Sequence, residues 1–326
     1  MTSKLTEMNA TPYDFRAFSS ELGNNFTLVQ GAGGNTSLKD SGILFVKGSG
    51  TRLGDALRKN IFAEIPLSTN PLGDAFDSNG PLRPSIETSL HLLLPHRVVV
   101  HVHPTAVIAL SVLKTAESIF DTIFSEYTWA YIPYVKPGIT LARKVKEIIG
   151  KMAPDVLILA NHGLVVGAES CEEASSLVSA IVSSVNKLIR PTVEFDLSHL
   201  SDTQIEGFVP AKFDSAHYAA YDDFALEVAT GGSLYPDHVV FLRRGAIRIQ
   251  NVEEIHNSRE SDLVLLAGVG AFLPASASLA AHEMAAALGI VASQVPKDAD
   301  INYLSREDED ALLDWDAEKH RQKLAE

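Results

Sequence analysis

The chain alternates short apolar runs with amphipathic segments of helical spacing. Val98–Val102 reads Val-Val-Val-His-Val. β-branched residues suit a pleated surface, so this run predicts a buried strand. Pro104 stops it, because proline has no N–H to give to a ladder. Ile43–Lys47, Phe62–Leu67 and Leu164–Gly167 also read as strands, and Asp155–Gly163 is a second buried run that ends in a histidine and a glycine. Helical spacing marks Pro12–Leu22, with Phe15, Phe18 and Leu22 on one stripe. It also marks Thr105–Leu113, Ile139–Ile149 (inner face Leu141, Val145, Ile148 and Ile149) and Cys171–Leu188. Glu172 and Glu173 in the first turn of the last match the helix dipole. Tyr127–Gly138 is aromatic, broken by two prolines, and predicts a strand and loop; Leu72–Leu82 predicts a surface loop.

Pro191 opens a different region, so the chain divides into residues 1–190 and 191–326. Asp196–Lys212 is polar and mixed. Ala216–Val228 predicts a helix ended by Gly231-Gly232. His238–Leu242 and Ala246–Ile249 read as a strand pair joined by Arg243-Arg244-Gly245. Asp262–Phe272 reads as a buried strand, Leu279–Leu288 as a helix, and Ser305–Ala325 as a charged helix with one packed stripe that includes Trp315.

Composition narrows the function. The chain has 326 residues, 46% of them hydrophobic, and a net charge of −14. That surplus argues against nucleic acid, which needs a basic face, but leaves room for a small anionic substrate. One cysteine, Cys171, excludes a disulfide framework and a Cys-based zinc site, and reads as a buried small residue. Met1–Asn9 has no apolar signal-peptide core, and no apolar run nears the roughly 20 residues of a membrane span. A soluble, cytoplasmic protein without membrane contact is expected.

Candidate chemistry gathers at the strand ends. His101 and His103 are two apart, so they share one face of their strand. His162, at the end of the second buried run, offers a third nitrogen. Three histidines with an open position form the catalytic rather than the structural zinc pattern; the plainer reading of His-x-His is a cross-strand polar contact. Glu87 lies in the first turn of a short predicted helix before the His101 strand, where it is either a site carboxylate or a helix-start acid. Gly31, Gly33 and Gly34 with Asn35, Thr36 and Ser37 form a loop that could surround an anion, or a plain turn. A second such loop, Lys47–Arg52, adds two cations. Neither is a Walker or dinucleotide loop, because the required endings and spacings are absent. Tyr134 could present a phenol to the site, though aromatic residues in this stretch are more often packing groups.

With Gly-Gly-Asn-Thr-Ser, Lys-Gly-Ser-Gly-Thr, Ser-Ile-Glu-Thr-x-Leu-His, His-Val-His-Pro and Asn-His-Gly in order, the chain resembles the class II aldolase/adducin family over roughly Tyr13–Leu188. Tyr235-Pro-Asp-His238 and the Gly268-Val-Gly270 strand look like the aldolase half of bifunctional rhamnulose-1-phosphate aldolase/dehydrogenase proteins. The resemblance implies an α/β, three-layer αβα fold with a central, mostly antiparallel sheet flanked by helices, and a C-terminal α/β extension. It also implies a homo-oligomer, a tetramer first. It assigns His101, His103 and His162 to zinc or another divalent metal and Glu87 to acid/base work. Gly33, Gly34, Asn35, Thr36, Ser49, Gly50 and Ser85 go to substrate phosphate, and Tyr134 to proton donation from a neighbouring subunit. Ile86 stands where some members carry a second phosphate-binding serine. The implied activity is cleavage of a ketose 1-phosphate to dihydroxyacetone phosphate and an aldehyde through a metal-stabilised enediolate. The alternatives are a same-fold decarboxylase, epimerase or dehydratase on a sugar phosphate, and a non-catalytic adducin-like binding protein.

Overall fold

The computed structural model describes residues 11–315, apart from 74, 75, 77, 79, 151, 152, 192, 194, 253 and 255–260. The expectations for Met1–Asn9 and for the charged helix beyond 315 lie outside the described residues. Seven strands form the main sheet: β1 (Asn35–Asp40), β2 (Ile43–Lys47), β3 (Phe62–Pro66), β4 (Val98–Val102), β5 (Trp129–Ile132), β6 (Val156–Leu159) and β7 (Gly163–Ala168). Their order is β3-β2-β1-β4-β7-β6-β5. Every pair is antiparallel except β5 on β6.

The period of two sorts β4 between two layers. Val98, Val100 and Val102 pack with the buried sides of α1 (Tyr13–Asn24), α3 (Thr105–Ser111) and α6 (Cys171–Val185). Val99 faces the other way, toward α2 (Thr88–Leu93) and α5 (Ile139–Ile149). His101 keeps the parity of Val99 and is therefore carried on the face where α2 begins. α4 (Ala116–Ile123) follows α3, and its Phe120 is fully buried. The fold is the expected one: a mostly antiparallel sheet between helical layers.

Beyond residue 190 the expectations need correction. Ala216–Val228 is not one helix. A 3₁₀ turn at Asp214–His217 leads into α7 (Tyr218–Tyr221), then α8 (Asp223–Thr230). The break falls at Asp222, whose side chain accepts from Ala225 N–H and caps α8. His238–Leu242 is not a strand but most of α9 (Pro236–Leu242), a helix with proline in its first turn. Asp262–Phe272 is a hairpin rather than one strand. A second sheet runs β8-β11-β10-β9, from β8 (Phe208–Pro210), β9 (Ile247–Ile249), β10 (Val264–Leu266) and β11 (Gly270–Pro274). Gly268, at φ +72°, makes the turn between β10 and β11.

α10 (Leu279–Gln294) runs past its expected end and is buried from Ala280 to Ser293. An alanine-rich helix apolar on all sides belongs in an interior. It packs against α3, α8 and α9, so one core crosses residue 190. α11 (Arg306–Leu313) closes the described chain with a capping box at Ser305 and Asp308. No helix among the described residues is long and apolar enough to cross a membrane.

Candidate active site

The three histidines converge. His101 is the second-last residue of β4, His103 lies one residue past its end, and His162 sits in the tight turn between β6 and β7. That turn is made by Asn161 at φ +53°, a conformation asparagine tolerates. Ring centroids are 4.8 Å apart for His101 with His103, 4.8 Å for His101 with His162, and 5.1 Å for His103 with His162. One ring nitrogen from each lies within 4.8 Å of the others. All three rings are buried.

The ring protons fit a cation at the centre. His101 Nδ1 donates to Leu164 O at 3.1 Å, leaving its Nε2 lone pair pointing inward. His103 Nδ1 lies 3.0 Å from Asp237 Oδ2, an ion-pair contact without hydrogen-bond geometry in this arrangement, and the negative charge there favours a proton on that nitrogen. The Nε2 atoms of His101 and His103 are 3.0 Å apart, so either one ring N–H donates to the other nitrogen or both lone pairs turn to a shared cation. Burial lowers the pKa of His101, and it pushes His162 down to about 3 despite the opposing pull of Glu87. A proton is therefore a poor filler, and the donor set suits a divalent metal.

Glu87 reaches the same point. It is the N-cap residue of α2, yet its side chain makes no cap hydrogen bond and turns to the histidines instead. Its Oε2 lies 3.3 Å from His101 Nε2 and its Oε1 3.7 Å from His162 Nε2. Oε1 has no hydrogen-bond donor among the described residues, another buried anionic atom that a cation would satisfy. Burial acts to raise the Glu87 pKa, but the three histidines and an Asn35 N–H outweigh it and hold the carboxyl down at about 2.

Asn35 stands directly across from His101 in the β1–β4 register. Its Nδ2 donates to Glu87 Oε2 at 2.9 Å, and its Oδ1 faces His91 Nε2. His91 Nδ1 in turn contacts Ser37 Oγ at 2.7 Å. Burial holds His91 neutral, with its pKa pushed down to about 3. The row Ser37–His91–Asn35–Glu87 uses alternate residues of β1. Thr36 points through the opposite face, where its hydroxyl meets Ser19 Oγ at 2.7 Å. It does not line the cavity beside the histidines, and its expected side-chain role is corrected by the pleat.

The two glycine-rich loops do meet at that cavity. Gly33, Gly34 and Asn35 line it from one side, Ser49 and Gly50 from another, and Ser85, Ile86 and Glu87 from a third. Gly34 is needed twice over: its φ is +58°, and a Cβ there would lie 3.0 Å from His101 O. The N–H groups of Gly33 and Ser49 already donate to Gln30 O and Arg83 O, so Ser49 has its hydroxyl to offer. Lys47 lines the cavity and ties the loops together through Ala32 O at 2.9 Å and Thr51 O at 2.8 Å. Arg52, the other expected cation, is instead a bidentate partner of Glu283 on α10, at 2.8 and 2.9 Å.

Tyr134 is not in the cavity lining of its own chain. It packs with Val239, Leu304 and Leu312, its hydroxyl has no hydrogen-bond partner among the described residues, and burial raises its pKa. Sequence reasoning missed Asp237, which lines the cavity from α9. Proline followed by an acid signals the start of α9, but nothing in the sequence places that acid beside the histidines.

A model of the Class II Aldolase and Adducin N-terminal domain matches residues 17–186. The chain belongs to this family. Glu87 and the three histidines lie inside the matched segment; Asp237 and Glu283 lie beyond it. Over 203 residues the chain is 28% identical to the uncharacterized oxidoreductase YuxG of Bacillus subtilis, covering 54% of this chain and 29% of that protein. Over 145 residues it is 28% identical to the L-fuculose phosphate aldolase of Methanocaldococcus jannaschii, covering 42% of this chain and 73% of that one. The chain thus spans under a third of the first of these relatives. The N-terminal class II aldolase domain of a conserved protein from Thermoplasma acidophilum superposes with a TM-score of 0.46 at 26% identity, over 58% of this chain and 99% of that one.

Proposed function

We propose that this class II aldolase/adducin family member is a metal-dependent lyase that cleaves a ketose 1-phosphate to dihydroxyacetone phosphate and an aldehyde. The observation that carries this is the convergence of three buried imidazoles and the Glu87 carboxylate beside two glycine-rich loops. His101, His103 and His162 hold the divalent cation, zinc first. When bound, that ion supplies positive charge where negative charge develops as the carbon–carbon bond breaks. Glu87 moves the proton at carbon, and the Asn35 amide orients its carboxylate. Gly34, Asn35, Gly50 and the hydroxyls of Ser49 and Ser85 receive the phosphate, with Lys47 as the nearby cation. Tyr134 enters this scheme only if assembly into a homo-oligomer draws its hydroxyl out of the packing that buries it in its own chain.

A second reading, a decarboxylase, epimerase or dehydratase built on the same residues, draws support from Ile86. It lines the cavity, and its side chain cannot donate a hydrogen bond to a phosphate. Screening ketose phosphates and sugar-acid phosphates for product separates the two. In the lyase reading, triose phosphate accumulates and Glu87→Gln lowers turnover by roughly 10²–10⁴-fold. Elemental analysis should show one metal per chain in the wild type and a clear loss in His103→Ala. Wild-type turnover in Glu87→Gln, or equal metal in both proteins, overturns this assignment.

A further inference from the structure

We propose that Asp237, supplied by the part of the chain beyond the family domain, is a positioning residue of the metal centre that fixes the proton and the aim of His103. This rests on the reading of the three histidines as metal ligands. His101 and His103 are supported differently. Behind His101 stands a neutral carbonyl, Leu164 O; behind His103 stands a buried carboxylate at 3.0 Å. A carboxylate behind an imidazole holds the proton on the far nitrogen, orients the ring and makes the near nitrogen a stronger donor.

The carboxylate is held by a fixed support. α9 is buried along its length. The Asn161 side chain, next to His162, donates to Leu234 O at 2.9 Å and to Asn302 O at 2.6 Å. Leu234 N–H donates to His238 Nδ1 at 3.2 Å, which pins the entry to the helix. The turn that carries His162 and the helix that carries Asp237 are therefore tied to one another.

Space at this point is also reserved. A Cβ on Gly33 would lie 2.9 Å from Gln30 O in its own loop, and 3.1 Å from both Asp237 Oδ2 and His103 Nδ1. Gly33 has no positive φ, so the missing side chain matters for room rather than for backbone freedom. Three distant segments, the first glycine loop, the end of β4 and α9, leave that room to one carboxylate–imidazole contact.

The test uses the full-length protein and Zn²⁺ alone, titrated in competition with a chromogenic chelator. Asp237→Asn keeps the shape and removes the charge. It should weaken zinc binding by about 10–100-fold, the usual cost of losing a partner behind a metal-binding histidine, with an unchanged melting temperature for the metal-free protein. A merely structural aspartate would move the melting temperature and not the affinity. Proton NMR of the zinc-loaded wild type should show the His103 Nδ1–H shifted downfield by the carboxylate beside it, a shift lost in Asp237→Asn. Zinc affinity in Asp237→Asn within twofold of wild type, or an unchanged His103 Nδ1–H shift in that zinc-loaded variant, overturns the inference while leaving the metal reading intact. If the wild type binds no zinc, the metal reading fails and the inference falls with it.

Discussion

Single residues at this site are set by parity and by burial. Ser37, Asn35 and His101 share one face of two paired strands, so hydrogen bonds run from residue to residue along that face. Buried histidines outside the metal centre have a separate consequence. Burial holds His91 and His238 each at a pKa of about 3, and the Nδ1 of His238 must stay unprotonated to accept from Leu234 N–H. In the unfolded chain both take up a proton near pH 6.5. Their stability contribution is therefore complete above pH 6.5 and is lost as pH falls toward 3, by about 1.4 kcal/mol per pH unit for each. Denaturant midpoints at pH 7, 6 and 5 should fall steadily, and His238→Asn should flatten that slope by one proton's worth. Parallel slopes would rule this out. The histidines of the cluster were legible in the sequence because a period of two puts neighbours on one face. Asp237 was not, because it meets His103 only through tertiary packing.

Elements were legible where their length and spacing decided the period, and misread where they were short. Val239, Val240, Phe241 and Leu242 are all buried. A short run buried on every side shows neither a period of two nor of 3.6, so its β-branched residues suggested a strand. The start signal at Pro236-Asp237 and the packing of α9 on α10 and α11 decided for a helix. β2–β7 were read well because each strand is bounded by glycine, proline or a polar turn; β1 was missed, because its polar start, Asn35–Ser37, read as part of the glycine-rich loop. α10 shows packing overriding propensity. Gly289 sits mid-helix, where alanine is ordinarily better by about 1 kcal/mol. A Cβ there, however, would lie 2.0 Å from Ser215 O, a backbone atom that cannot simply swing away. Overpacking of this kind costs roughly 1–3 kcal/mol, so Gly289→Ala should destabilise the protein. A raised thermal midpoint would show that the helix can retreat without loss.

For the whole molecule, we propose that residues 191–326 act as an extension packed on residues 1–190, not as a separate unit. All seven residues of α3 are buried, with α10 packed against that helix. Cutting after Arg190 would open that face to water and strand Arg52 without Glu283. The fragment 1–190 should therefore aggregate or lack a cooperative calorimetric transition. A monodisperse fragment with a sharp melt would contradict this. The contact between His103 and Asp237 also has a consequence for biosynthesis. A ribosome adds about 5–20 residues per second, and 134 residues (237 minus 103) separate the two. His103 therefore leaves the ribosome roughly 7–27 s ahead of its carboxylate, so the growing chain exposes a set of histidines whose last support has yet to be made.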